Sequence, residues 1–320
     1  MLPRPAPLRA MAAGADEEGK MSAFAACACF VFPSLPMSVH IILQSPHLYA
    51  PQVEKVAALA SAEGVQALGP TAVRLLHAQD DTRAQVEALC LQAGMDCAYL
   101  ARIRHIADCR ILAMDMDSTL VNIECIDEIA AAAGRKAEVA AITEAAMRGE
   151  IKDFAESLRR RVALLKGVPE QALHQVYEHR LQLNPGAQRL VETARGHGLA
   201  TLLVSGGFTF FTRRLQERLR LDHCHANVLK VHEGKLTGEV EGPIVDGAAK
   251  AAHLQALAKD MGADPEHIIA MGDGANDLAM LALAEYSVAY RAKPVVREQA
   301  RFALNFSPLD AVLNWFRLRH

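Results

Sequence analysis

Ile111-Leu112-Ala113-Met114 runs straight into Asp115-Met116-Asp117-Ser118-Thr119, and this junction between an apolar run and two carboxylates decides the fold. Three further runs repeat the pattern. Leu199–Val204 ends at Ser205-Gly206-Gly207, Ile268–Met271 ends at Gly272-Asp273-Gly274-Ala275-Asn276-Asp277, and Ser287–Tyr290 closes the series. Short apolar runs separated by helical stretches are the pattern of buried parallel strands, so the spacing predicts an open α/β sheet with helices on both faces. Ligands in such sheets sit beyond the carboxyl ends of the strands. Polar residues at three strand ends therefore converge on one crevice.

Two carboxylates one residue apart repel each other, and a cation or a shared substrate is the usual resolution. Asp273 and Asp277 add oxygen ligands, and no His or Cys accompanies them. Hard oxygen donors alone favour Mg²⁺ over Zn²⁺. Ser205-Gly206-Gly207 can present a hydroxyl and amides at the start of a helix, where anions are favoured. Lys250 can set a cation against phosphate oxygens. Taken singly, Asp-x-Asp is a solvated turn, Ser205 a helix N-cap and Lys250 a solvated helix residue. Their order along the chain changes that reading.

Asp115-x-Asp-Ser-Thr, Ser205-Gly-Gly-Phe, Lys250 and Gly272-Asp-Gly-Ala-Asn-Asp resemble the four motifs of the haloacid-dehalogenase-like phosphatases. Fuller stretches are similar to the branch of that family whose members act on O-phosphoserine. These are Asp117–Asn122 with Glu124 and Ile126–Ile129, Ser157–Val162 with Leu164–Gly167, and Gly234–Gly238. The similarity runs from about residue 110 to 305. It implies a Rossmann-like core with a parallel sheet and a small helical cap inserted at about 124–183. The Ala-rich stretch from Ile126 to Val168 and the break at Asn184-Pro185-Gly186 agree with such an insertion.

The resemblance also implies a mechanism and a set of roles. Asp115 is the nucleophile, forming an aspartyl-phosphate, and Asp117 is the general acid and base. Mg²⁺ is expected on a side-chain oxygen of Asp115, the backbone carbonyl of Asp117 and the side chain of Asp273. Ser205, Gly206 and Lys250 take the phosphoryl oxygens, with Asn276 and Asp277 supporting that end. Phosphoserine also carries an ammonium, assigned to Glu124, and a carboxylate, assigned to Arg161, with Met147 as an apolar lid. The expected reaction is release of L-serine and phosphate, the last step of serine biosynthesis. Two alternatives stand beside it: a phosphotransferase that hands the same phosphoryl group to an alcohol, and a non-catalytic amino-acid sensor.

The sensor reading comes from the amino-terminal region. Residues 37–105 alternate as β-α-β-β-α-β, a ferredoxin-like unit that resembles the ACT-type regulatory modules, by this pattern alone. Asp80, Asp81 and Thr82 offer an N-cap for its second helix. The module is expected to be structural or to pair two copies as a homodimer, and a chain starting near Ile106 to fold by itself. Residues 1–36 are read as a disordered extension; the apolar run Ala23–Phe32 is too short to span a membrane.

Composition excludes other classes. The 320 residues are 51% hydrophobic and 22% charged, with a net charge of −3, which is a folded globular chain. No block of like charge exceeds Arg159-Arg160-Arg161, which argues against a nucleic-acid-binding surface. Seven scattered cysteines without a CxxC pair are no disulfide framework, and the cytoplasm is the expected compartment.

Overall fold

Residues 38–318, apart from 148, 149 and 152, are described by a computed structural model. The extension expected over residues 1–36 lies outside them. The amino-terminal module runs β1 (Val39–Gln44), α1 (Ala50–Leu59), β2 (Gly64–Gly69), β3 (Ala72–Ala78), α2 (Arg83–Gln92) and β4 (Asp96–Leu100). Its antiparallel sheet has the order β2-β3-β1-β4, the ferredoxin-like arrangement. Strand alternation divides β1: Val39, Ile41 and Leu43 join Val53, Val56, Val86 and Cys90 under the helices, while Ile42 turns to the opposite face. Thr82 takes the N-cap position of α2. It makes no capping bond to α2, because its hydroxyl donates instead to the carbonyl of Leu59 at the end of α1, 3.2 Å away.

The core sheet has seven strands in the order β11-β10-β9-β5-β6-β7-β8. These are β5 (Ile111–Met114), β6 (Ala200–Phe208), β7 (His223–His232), β8 (Lys235–Glu241), β9 (Ile268–Gly272), β10 (Tyr286–Tyr290) and β11 (Phe302–Leu304). All neighbours are parallel except the β7–β8 hairpin. Every residue of β5 is buried, and alternate residues feed two apolar layers. Leu112 and Met114 pack with α7 (Ala187–Gly196) and α8 (Thr209–Leu219). Ile111 and Ala113 pack with α9 (Gly247–Met261) and α10 (Leu278–Leu281). A short α11 (Pro294–Gln299) links β10 to β11. The expected doubly covered α/β sheet is present.

Between Val121 and Leu183, whose backbones bridge, the described residues form four helices: α3 (Cys125–Ala132), α4 (Lys136–Met147), α5 (Phe154–Ala163) and α6 (Gln171–His179). Sequence reasoning had no place for the β7–β8 hairpin, whose turn reaches this helical insertion. Gly167 N–H donates to Leu236 O, Leu236 N–H to Val168 O, and Glu170 N–H to Gly234 O, at 2.8, 2.8 and 2.9 Å. No described helix is long and apolar enough to cross a membrane.

Candidate active site

Asp115 stands one residue past β5, in extended conformation, with its N–H bonded to Met271 O at 3.0 Å. The chain must then turn out of the sheet at once. It does so through Met116–Leu120, where Ser118 takes a φ of 57°, an uncommon conformation for a non-glycine residue. Asn184 holds this turn. Its side-chain amide donates to the carbonyls of Ser118, Thr119 and Val121 at 3.3, 2.8 and 3.0 Å. The sequence reading took Asn184 only as a punctuation mark before Pro185.

Lys250 is the centre of the site. Asp246 caps α9 by accepting from Ala249 N–H at 2.9 Å, which places Lys250 on the inward face, 0% exposed. Its Nζ lies 2.6 Å from Asp115 Oδ1 and 2.7 Å from Asp277 Oδ1. Asp277 uses its other oxygen to accept the N–H groups of Asp273 and Gly274, at 3.1 and 3.0 Å. A Cβ on Gly272 would lie 2.5 Å from Asp277 Cγ, so only glycine lets this carboxylate close in. Asp273 Oδ1 accepts from the Thr119 hydroxyl at 3.1 Å. Asn276 sits partly buried in the same turn, Ala275–Asp277.

The electrostatics follow from crowding. Carboxylate oxygens of Asp115, Asp273 and Asp277 lie within 4.8 Å of one another. Burial, then the charge of Asp277, pushes Asp115 well above the usual carboxylate range and Asp273 up to about 7. Burial alone would lower the Lys250 ammonium, but Asp115 and Asp277 overcome it and hold it above its ordinary value. One lysine does not balance these acids. An all-oxygen donor set with excess negative charge fits a hard divalent cation. The second oxygens of Asp115 and Asp273 accept no hydrogen bond from the described residues, whereas both oxygens of Asp277 are occupied. That division suits Asp115 and Asp273 as ligands and Asp277 as the anchor of Lys250. The Asp117 carboxylate lies outside the cluster; the sequence reading had assigned its backbone carbonyl to the ion.

Asp117 faces the insertion instead. Its Oδ1 accepts the N–H of Cys125 at the start of α3 at 2.9 Å, and Ser205 Oγ lies 3.4 Å from its Oδ2. Burial, reinforced by Glu124, raises its carboxyl to about 7. Ser205 is fully buried, and its hydroxyl accepts the Gly207 N–H at 2.8 Å. A Cβ on Gly207 would come within 2.5 Å of Asp117 Oδ2. The expected helix start at Ser205 is corrected: β6 continues to Phe208 and α8 begins at Thr209. Pairing of Phe208 with Asn227 on β7 keeps the chain extended through this irregular stretch. Asn227 also donates to Gly206 O and accepts from Val245 N–H, both at 2.8 Å. The Phe154 ring, at the start of α5, lies against Gly206. Neither Asn227 nor Phe154 carried a sequence signal; each is an isolated residue that only the fold brings to the crevice.

Glu124 is the exposed residue preceding α3, and its Oε1 accepts from the Ser118 hydroxyl at 2.7 Å. Of the three consecutive arginines, Arg159 and Arg160 are exposed and Arg160 pairs with Glu156 on its own helix. Arg161 is partly buried. Burial lowers its guanidinium, opposed by the charges of Asp127, Glu124 and Asp117, and its Nε donates to Ser157 O on its own helix at 3.4 Å. Met147 ends α4, and its side chain lies outside the described residues.

This constellation at the carboxyl ends of parallel strands is that of an enzyme, and the chain belongs to the haloacid dehalogenase-like hydrolases, whose family model matches residues 112–282. A domain of unknown function matches residues 41–86. The chain is 57% identical over 212 residues to the phosphoserine phosphatase of Polaromonas sp., covering 65% of this chain and 90% of that protein. Among solved structures it resembles a probable phosphoserine phosphatase from Vibrio cholerae in unliganded form. That likeness has TM-score 0.75 and 37% identity over 88% of both chains. A substrate-bound phosphoserine phosphatase matches with TM-score 0.61 and 38% identity, over 65% of this chain and 99% of that one. A phospho-aspartyl intermediate analogue of phosphoserine phosphatase matches with TM-score 0.61 and 39% identity over the same shares.

Proposed function

We propose that the chain is a Mg²⁺-dependent phosphoserine phosphatase of the cytoplasm that supplies L-serine as the last step of its biosynthesis. The observation that carries the reading is the fully buried Lys250 ammonium, bonded to both Asp115 and Asp277 where β5 ends. A buried cation touching a carboxylate in a strand-end crevice orders a nucleophile and leaves donors for phosphoryl oxygens.

In the first step an oxygen of Asp115 attacks phosphorus, the bond from phosphorus to the serine oxygen breaks, and Asp117 gives its proton to that leaving oxygen. Ser205, the amide groups at Gly206 and Lys250 hold the phosphoryl oxygens in line. In the second step Asp117 takes a proton from water, which attacks phosphorus and frees Asp115 and inorganic phosphate. Mg²⁺, held by Asp115, Asp273 and the carbonyl of Asp117, supplies the positive charge that lets a carboxylate approach a phosphate dianion. Glu124 and Arg161 read the substrate's ammonium and carboxylate. The helical insertion α3–α6 excludes bulk water from the reacting centre.

The test is release of inorganic phosphate from O-phospho-L-serine in Mg²⁺ with no acceptor alcohol present. Turnover should vanish with a chelator and return with Mg²⁺. Phosphate released only as an ester of an added alcohol would make the chain a phosphotransferase; full turnover in chelator would remove the metal from the scheme.

A further inference from the structure

The face of the amino-terminal sheet opposite α1 and α2 meets the carboxyl-terminal end of the core. Register places His40, Ile42 and Gln44 of β1 on this face, with Arg74 of β3 opposite Ile42 and Gln66 of β2 beside it. Ile42, Ala98 and Leu100 share an apolar cluster with Ile106, Leu309 and Trp315, which makes the face a junction between module and core.

Arg74 is out of place there. It is 8% exposed, and its Nη1 donates to the neutral Gln66 Oε1 at 3.2 Å. Its Nε is buried without a partner, as is Nε2 of Gln44. No carboxylate pairs with it among the described residues. The charge that acts on it is instead that of Arg317, an exposed residue whose backbone is fixed by bonds from Ile106 N–H to Arg317 O and from Arg317 N–H to Arg104 O at 3.1 and 2.7 Å. The His40 ring centroid is 5.3 Å from that of His77, and burial, then the charges of His77 and Arg74, lower its imidazole. Asp96 is the sole acid in the four strands, and its carboxylate is committed to the backbone N–H groups of Asn305, Phe306 and Ser307.

We infer that this junction binds a phosphate-class dianion through Arg74 and Arg317. A buried guanidinium without a counter-charge is costly, and a second arginine beside it adds to the cost. Two positive charges call for a dianion, and the guanidinium fork suits tetrahedral oxyanions through paired N–H donors. A carboxylate monoanion leaves one charge unanswered. No residue of the Asp115 site takes part, so the site is separate from catalysis.

The experiment is equilibrium binding of labelled inorganic phosphate to the full chain, with melting temperatures taken in parallel. Wild type should bind one more phosphate per chain than Arg74→Met, and Arg317→Met should weaken that extra site at least tenfold. Both variants should turn over substrate within twofold of wild type at low phosphate, because neither touches the reacting groups. In phosphate-free buffer Arg74→Met should melt at or above wild type, since it removes an uncompensated buried charge. Added phosphate should then raise wild type further than the variant. Equal phosphate binding by wild type and Arg74→Met overturns the proposal. So does a variant that melts well below wild type without phosphate, or acetate that stabilises wild type as phosphate does.

Discussion

Oδ2 of Asp96 accepts the backbone N–H of Ser307 at 2.8 Å, joining the last strand of the amino-terminal sheet to the segment that follows β11. The same carboxylate takes the N–H groups of Asn305 and Phe306 at 2.7 and 3.1 Å. Leaving these donors bare costs roughly 1–3 kcal/mol each. Asp96→Ala should therefore lower unfolding free energy by about 3 kcal/mol or more in urea titrations, with kcat little changed. A piece starting at Ile106 loses this clasp and uncovers Ile106 and Leu309, both fully buried in the intact chain. It should melt well below the full chain or aggregate, although every motif lies inside it. A truncation as stable as the full chain would show that the clasp contributes nothing.

His225 and His253 stack at 3.7 Å between ring centroids and 12° between planes. Burial lowers both imidazoles below their ordinary value, and for His225 the neighbouring His253 and His223 add to it. A folded value below the unfolded one means that the unfolded chain binds protons more tightly. The pair's contribution to stability is thus complete above the unfolded value near 6.5 and is lost as pH falls below it. Denaturant midpoints at pH 7.5 and 5.5 should show wild type losing more stability than His253→Asn. Equal losses would mean that the pair does not couple to folding.

Asn227 ties the carbonyl of Gly206 to the N–H of Val245, linking the end of β6 to the segment leading into α9. It is a positioning residue. Asn227→Ala should reduce kcat/KM by tenfold or more, about 1.4 kcal/mol. Asn227→Asp keeps the acceptor for Val245 but has no donor for Gly206, so it should fall as far. An Asp variant with wild-type turnover would show that the Gly206 tether is idle.

Much of this was legible in the chain. Ile111–Met114 and Ile268–Met271 are unbroken apolar runs because both faces of those strands are buried, and the acids that follow must lie at the sheet's end. Lys250 was harder: nothing in Ala248-Ala249-Lys250-Ala251 marks it as buried, and only its order among the motifs raised it above a surface residue. Asn227 and Phe154 left no signal, and Asn184 showed only as a break, because each acts through a backbone carbonyl or a glycine that only the fold brings near. The β7–β8 hairpin was missed because its strands are half-exposed and mixed in polarity. Nothing in Ala72-Val73-Arg74-Leu75 marks Arg74 as buried, since its cover comes from a distant part of the chain.

Glu124 and Arg161 carry the last prediction, which concerns substrate choice. Glu124 sits beside the turn that follows Asp115, bonded to Ser118 Oγ, while Arg161 is the one member of its arginine run that is partly buried. Their charges act on each other, so an anion and a cation are available to the two ends of an amino acid. A guanidinium can grip a carboxylate with two parallel hydrogen bonds, which an ammonium cannot reproduce. Arg161→Lys and Glu124→Gln should each cut kcat/KM on phosphoserine at least tenfold, about 1.4 kcal/mol. Both should leave hydrolysis of an aryl phosphate within about twofold, since that substrate offers neither an ammonium nor a carboxylate. Measured side by side, equal losses on the two substrates would mean that these residues support the helical insertion rather than read the amino acid.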